Sequence, residues 1–266
     1  NTTGSRNLAI GVQAYDASDT ENDNIAIGFD AMGTNTAGGQ YNIAIGNYAA
    51  DALTSGDSNI AIGHTAASNL SSGGANVAIG HDALLATTTQ NNNTAVGYQA
   101  LRANTAGANT AFGKNALVLN TTGDLNVAIG IDALAANTTA SANVAVGREA
   151  LAANTTGTRN TVVGTSAGVT MSTADDNTAV GYVALKDTTA YRNVAVGSYA
   201  LTENTTGANN VAVGHNSLYT QTTGAQNVAV GTSAGYAITD ATYNTLIGYQ
   251  AAAAITTGAN NVAIGG

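Results

Sequence analysis

Three histidines are the side chains best suited to chemistry in this sequence. His64, His81 and His215 each stand directly after a glycine that closes the same pentapeptide. His64 and His81 occupy consecutive copies, and an imidazole pair holds a metal ion when further ligands converge on it. Spaced one repeat apart, the two read instead as a solvent-facing ladder, and no metal site is expected. A second candidate is the acidic run Asp16, Asp19, Glu21 and Asp23. Carboxylates so grouped suit a hard cation such as Ca²⁺, but a charge run is first a solvated loop, and the calcium-roll repeat is not present. Tyr98, Tyr182, Tyr199 and Tyr249 follow motif glycines closely. They would decorate an outer surface, where an amphipathic ring suits contact with a receptor or glycan or simply packs at the solvent edge. The Asn-x-Thr matches, such as Asn154-Thr155-Thr156, are turn chemistry first. No carboxylate pair, Ser-His-Asp grouping or activated nucleophile stands out, so no catalytic residue and no cofactor are expected.

Composition narrows the class further. The 266 residues include no proline, cysteine or tryptophan, while 32 are glycine and only 9% are charged. With two Phe and two Met, any core must be narrow and built from small side chains. Seven Lys plus Arg in a chain of net charge −9 cannot neutralise a track of phosphates, which argues against nucleic-acid binding. No run of apolar residues approaches the length that spans a bilayer, so no membrane insertion by this segment is expected.

What positions these side chains is a repeat. The pentapeptide Asn-x-Ala-(Ile/Val)-Gly recurs sixteen times, with its glycines at 11, 28, 46, 63, 80, 97, 113, 130, 147, 164, 181, 197, 214, 231, 248 and 265. The spacing is 17 except for one step of 18 and two of 16. That period is too short for a pair of helices, which needs about 33 residues or more. Within the motif Val127 and Ile129 alternate with Asn126, Ala128 and Gly130, the period-two pattern of a strand. The expected fold is therefore all-β, a parallel β-solenoid of sixteen coils of about 17 residues, each with two strands of roughly five residues joined by turns. At about 4.8 Å per coil, fifteen steps give a rod of roughly 70 Å. Residues 1–266 read as a single repetitive segment.

Each motif position has a physical reading. The asparagine four residues before the glycine occurs in every copy, including Asn24, Asn76, Asn126 and Asn210. Stacked in register, these amides form a ladder along the coils. The glycines, including Gly28, Gly80, Gly130 and Gly214, mark corners that need positive φ or close backbone approach. An alanine follows the glycine by three residues in fourteen of fifteen coils, Ser217 being the exception. The motif alanine gives way only at Val162 and Leu246. Alanines such as Ala78 and Ala83 on facing strands imply a coil so flat that added bulk would be strain. The β-branched residues then face outward. Val77, Ile79, Val127 and Ile129 belong to a stripe larger than soluble monomers normally expose, and they are expected to line a contact between chains. The length changes fall in the far turn, Asn154-Thr155-Thr156-Gly157 in its cleanest form.

The motif resembles the head repeats of trimeric autotransporter adhesins. The longer phrase Asn93-Thr94-Ala95-Val96-Gly97-Tyr98-Gln99-Ala100-Leu101, with its Asn-Thr-Thr-Gly turns, is also similar to repeats of phage tail-fibre-like proteins that often precede an endosialidase-type intramolecular chaperone. The resemblance covers the whole chain. It implies a left-handed β-roll, a homotrimer around a shared apolar axis, and a place on a bacterial surface or virion exterior. The function expected is a non-enzymatic shaft or head segment that attaches to a receptor or glycan, or acts as a spacer. The alternative is an ice-binding solenoid presenting threonine rows, against which the length changes in the threonine-bearing turns weigh; an enzyme on a β-solenoid is the least supported. Asn1-Thr2-Thr3-Gly4 match an ordinary far turn and Asn261–Gly265 an ordinary first strand, so the segment is expected to be an excerpt of a longer fibre.

Overall fold

Each Asn-x-Ala-x-Gly segment places three residues in a strand, and the strands pair in parallel with the matching residues one repeat away. In the computed structural model, which describes residues 4–17, 20–34 and 38–266, the chain divides into two compact units, Asn1–Asp132 and Ala133–Gly266. The first holds β1 (Leu8–Ile10), β2 (Ile25–Ile27), β3 (Ile43–Ile45), β4 (Ile60–Ile62), β5 (Val77–Ile79), β6 (Thr94–Val96), β7 (Thr110–Phe112) and β8 (Val127–Ile129). The second holds β9 (Val144–Val146), β10 (Thr161–Val163), β11 (Thr178–Val180), β12 (Val194–Val196), β13 (Val211–Val213), β14 (Val228–Val230), β15 (Thr245–Ile247) and β16 (Val262–Ile264). Within each unit the strands are stacked in chain order with motif residue opposite motif residue. The architecture is an all-β parallel solenoid. Among the described residues there is no helix.

The expected second strand is replaced by turns. Two residues after the glycine every coil has positive φ, 53–60°, and the residue two further on is again at 48–61°. Left-handed conformations at residues such as Asp82 and Leu84 interrupt period-two alternation and curl the chain inward. Ala83 and Leu84, neighbours in sequence, are therefore both fully buried. A strand would have sent one of them to solvent. Non-glycine residues in this region are uncommon. Here they are held by bonds between coils: Asp82 N–H donates to His64 O at 3.2 Å and Leu84 N–H to Ala100 O at 3.0 Å.

Glycine is needed at the corner on two counts. All sixteen motif glycines have φ between 125° and 141°, a conformation open essentially to glycine alone. A Cβ at Gly80 would also stand 2.4 Å from the carbonyl oxygen of Gly97. The inside of the coil is as narrow as the alanines require. Ala26, Ala44, Ala78, Ala95, Ala145 and Ala212 are completely buried. Ser217, at an alanine position, is also buried and donates its hydroxyl to Ala229 O at 3.1 Å.

Core volume is conserved by exchange between two positions of the coil. Leu84, Leu101, Leu117, Leu134 and Leu151 fill the fourth place after the glycine, with Thr87, Asn104, Asn120, Asn137 and Asn154 at the seventh, all buried. Elsewhere the large residue moves along. Leu53 and Leu70 take the seventh place where Ala50 and Ala67 hold the fourth, and Met171 and Ile238 do so where Gly168 and Gly235 stand. Leu246, one of the two large residues at the strand alanine position, is accommodated the same way, since a Cβ on Gly235 would come within 2.7 Å of its Cδ1. Dense packing leaves room for one large side chain at this level of the coil, not two.

Candidate functional site

Four rows of polar or aromatic side chains run along the coils, and each is assembled by stacking a residue on its counterpart one repeat away. The first is internal. Asn76 Oδ1 accepts the backbone N–H of Asn93 at 3.0 Å, and Asn76 Nδ2 donates to Asn59 Oδ1 at 3.1 Å and to Gln90 O at 2.9 Å. The ladder joins Asn7, Asn24, Asn42, Asn59, Asn76, Asn93, Asn109 and Asn126 in the first unit, with N–H to Oδ1 links of 2.8–3.1 Å. In the second it joins Asn143 through Asn210 to Asn261 at 2.9–3.0 Å. Two bonds thus recur onto the same side-chain oxygen, one from the backbone N–H and, at most rungs, one from Nδ2 of the next asparagine at 2.9–3.4 Å, while Nδ2 also braces the coil against the carbonyl of a far turn.

A second ladder was not anticipated from the sequence. The asparagine of the far turn is itself buried: Asn120 Nδ2 donates to Asn104 Oδ1 at 2.7 Å, and Asn154 Nδ2 to Asn137 Oδ1 at 3.0 Å and Gly157 O at 3.0 Å. The next coil carries Met171 at that place, and Asn154 Oδ1 is left without a partner. The signal was present in the shift of the large residue from the fourth to the seventh place, where Leu53 and Leu70 stand at the position that Asn104 and Asn154 hold in other coils, which marks both places as interior.

Beside it lies the threonine row. Thr105, Thr155, Thr205 and Thr222 each donate a hydroxyl to the backbone carbonyl of the counterpart one coil on, at 2.9–3.2 Å. The shortened coils do not interrupt it, since Thr105 meets Thr121 O and Thr189 meets Thr205 O across 16 residues, at 2.9 and 3.1 Å. The length changes thus leave this row in register, contrary to the expectation that they break it.

The outer face of the strands carries the apolar stripe. Val77, Ile79 and Val127 are half-buried in the isolated chain, and Ile129 is 40% exposed. Phe112, one step away from Ile129 on β7, is 56% exposed.

Next to the corner glycines runs an aromatic row. In the first unit Phe29, Tyr48, His64, His81 and Tyr98 follow one another at ring separations of 5.3, 6.0, 5.1 and 5.5 Å. His64 and His81 lie face to face with planes 16° apart. Asp82 is beside them, its Oδ2 3.3 Å from His81 Nδ1. Thr65 donates to Asp82 Oδ1 at 2.6 Å and Gln99 to Oδ2 at 3.4 Å, and Arg102 Nε is 3.8 Å from Oδ2. Partial burial works to raise the Asp82 pKa, but the hydrogen bonds from Thr65 and Gln99 and the charges of His81 and Arg102 outweigh it and hold it below the usual range. In the second unit Tyr182 meets Tyr199 at 5.3 Å, and Tyr219 stacks on Tyr236 at 5.4 Å. Tyr199, His215, Asn216, Tyr219 and Tyr236 line a concavity of about 290 Å³. Desolvation raises the Tyr199 phenol above its ordinary pKa, and the charge interaction and hydrogen bond with Tyr182 push it the same way. Tyr98 and Tyr249 are exposed as the sequence suggested.

The acidic turn is divided among other partners. Asp23 is held by Arg6 at 2.5 and 2.6 Å, and Glu21 is buried, accepting from Thr20 and Gly38 backbone N–H groups at 3.0 Å each. Asp19 lies outside the described residues, as do Asn1–Thr3 of the first turn. Among the described residues the one group of three side chains able to converge on a metal ion is His64, His81 and Asp82. No described helix is long and apolar enough to cross a membrane. A comparison with family models and with curated proteins finds no match to this chain.

Proposed function

We propose that this chain is a structural segment, shaft or head, of an extracellular attachment fibre of the bacterial adhesin or phage tail-fibre kind, working as a homotrimer. The observation that carries the proposal is the strand's division of labour. In strands such as β4, β5, β9 and β13 the middle residue is an alanine sealed inside the coil, while the first and third are Val or Ile left half-exposed in a stripe along each unit. Covering β-branched side chains at about 25 cal/mol per Å² makes association along such a stripe favourable. The resemblance of the repeat to the adhesin heads supplies the number three. The buried polar groups support a structural and non-enzymatic role, since the asparagines spend their donors and acceptors on joining one coil to the next. The tyrosine-lined concavity at Tyr219 and Tyr236 is where a receptor or glycan of a cell surface would be met, aromatic faces being suited to the apolar side of a sugar ring.

The aligned threonine row favours ice binding as a second reading. Its hydroxyls are committed as donors to the neighbouring coil's carbonyls, which weighs toward a role in holding the stack together. The chain has no cysteine, so a single introduced thiol tests the first reading cleanly. Val77→Cys is expected to form interchain disulfides on mild oxidation, whereas Ser72→Cys on the exposed far turn does not. Equal cross-linking at both positions, or none at Val77, refutes association along the stripe.

A further inference from the structure

We propose that His64, His81 and Asp82 form a binding site for a divalent transition-metal ion, Zn²⁺ foremost. The solenoid brings the three together without any loop of their own. His64 and His81 are the first residues after the corner glycines of consecutive coils, and Asp82 is the second. The corner fixes where each side chain leaves the backbone. Asp82 is held at φ 56°, with its N–H on His64 O. One ligand atom from each residue lies within 4.8 Å of the others. Tetrahedral zinc–ligand bonds of about 2.0–2.2 Å set neighbouring ligand atoms about 3.4 Å apart, so closure from 4.8 Å asks for an adjustment of up to about 1.4 Å. Both imidazoles are exposed and can turn about their side-chain bonds to provide it. The hydroxyl of Thr65, 2.6 Å from Asp82 Oδ1, orients the carboxylate, as partners behind metal ligands commonly do. Oδ2 is then left facing His81.

Two imidazoles and one carboxylate suit Zn²⁺, Cu²⁺ or Ni²⁺ better than Ca²⁺ or Mg²⁺, which prefer an all-oxygen set. With three protein ligands the ion keeps a position for water or for a donor from another molecule. Tyr48 and Tyr98 flank the pair, at 6.0 Å from His64 and 5.5 Å from His81, and wall it along the row. The competitor is Arg102, whose Nε stands 3.8 Å from Asp82 Oδ2. That contact is long and its side chain half in solvent, so the guanidinium can leave when the ion enters. A single ion at this place would cross-link two adjacent coils at their outer corner and present a metal-bound water on the aromatic face.

The test is calorimetric titration of the untagged full chain with ZnCl₂ in a non-coordinating buffer. His215, the third histidine, belongs to the other unit and serves as the internal control. The expected result is one ion per chain, with affinity at least tenfold lower in His64→Gln and His81→Gln, similarly reduced in Asp82→Asn, and unchanged in His215→Gln. Arg102→Ala is expected to bind more tightly, because it frees the carboxylate. Circular dichroism of each variant establishes that it folds. Absence of a Zn²⁺ response, or a response that survives His81→Gln, overturns the site. A response to Ca²⁺ as strong as that to Zn²⁺ overturns the choice of ion.

Discussion

Moving the leucine of one coil from its fourth place to its seventh is expected to be tolerated where either change alone is not. Leu151 and Asn154 are both fully buried. Leu151→Ala removes a core side chain at a cost of about 2–5 kcal/mol. Asn154→Leu alone crowds a leucine against Leu151, about 1–3 kcal/mol, and loses the Nδ2 bonds to Asn137 Oδ1 and Gly157 O, both 3.0 Å, at about 1 kcal/mol each. It also removes the unpartnered Asn154 Oδ1, which returns about 1 kcal/mol. The two changes separately therefore sum to about 6 kcal/mol from these ranges. In the double variant the leucine introduced in place of Asn154 fills the space Leu151 vacated, giving the Ala-then-Leu arrangement that the chain already uses at Ala50 and Leu53 and at Ala67 and Leu70. Only the lost hydrogen bonds remain, about 1–2 kcal/mol, so the coupling between the sites is at least about 2 kcal/mol in favour of the pair. Urea unfolding followed by circular dichroism measures the cycle, with a common slope as the check that unfolding remains comparable. Additivity within about 0.5 kcal/mol would refute the reasoning that the two places share one volume.

Gly147→Ala is expected to cost at least about 3 kcal/mol from backbone strain and collision together, because φ is 137° and the new Cβ would lie 2.5 Å from Gly164 O. Gly107→Ala, whose nearest backbone atom would be 3.1 Å away, is expected to cost far less, and equal melting shifts would contradict the corner argument. Asn160→Ala cuts the ladder at bonds of 3.0, 3.1 and 2.7 Å. At about 1–3 kcal/mol for each buried group left unpaired its loss should exceed that of an exposed Asn209→Ala, as thermal unfolding would show. Asp176 and Asp23 have depressed pKa values, held down first by hydrogen bonds from Arg159 and Arg6. A depressed carboxylate contributes stability above its unfolded pKa of about 3.9 and loses it as pH falls through the folded value. Arg159→Ala should therefore be less stable than the parent at pH 6, with the difference closing at pH 2. A gap that persists in acid would show the arginine acting through packing instead.

The parallel stack, the register and the asparagine ladder could be read from the sequence because all three follow from exact recurrence. Asn76 can meet Asn59 and Asn93 only if the coils superpose, and the sixteen evenly spaced glycines leave no other pairing as simple. The orientation of Ala78 inward and Val77 and Ile79 outward followed from period two. The other half of the coil was misread because period two was extended to it. Ala83 and Leu84 are adjacent and both apolar, which a strand cannot bury on one side. That conflict was the available sign of left-handed residues at Asp82 and Leu84, since no propensity scale favours leucine there. The far-turn ladder was missed for a related reason: Asn104 and Asn154 look like surface turn residues, and only the exchange with Leu53 and Leu70 reveals them as interior. The His64–His81 stack was visible as a spacing, but the approach of Asp82 depends on its φ of 56°, which the residue type does not announce.

The central claim, that the outward Val and Ile stripe is covered by further copies of the chain, is tested most directly by the mass of the intact protein in solution. Light scattering coupled to size-exclusion chromatography, at micromolar concentration and with β-structure verified by circular dichroism, gives that mass without assumptions about shape. The account predicts three times 26.2 kDa, about 79 kDa. It also predicts a fall toward the single-chain value when Ile79 and Ile129 are both replaced by lysine. A parent that elutes at 26.2 kDa with its β-structure intact would contradict the account.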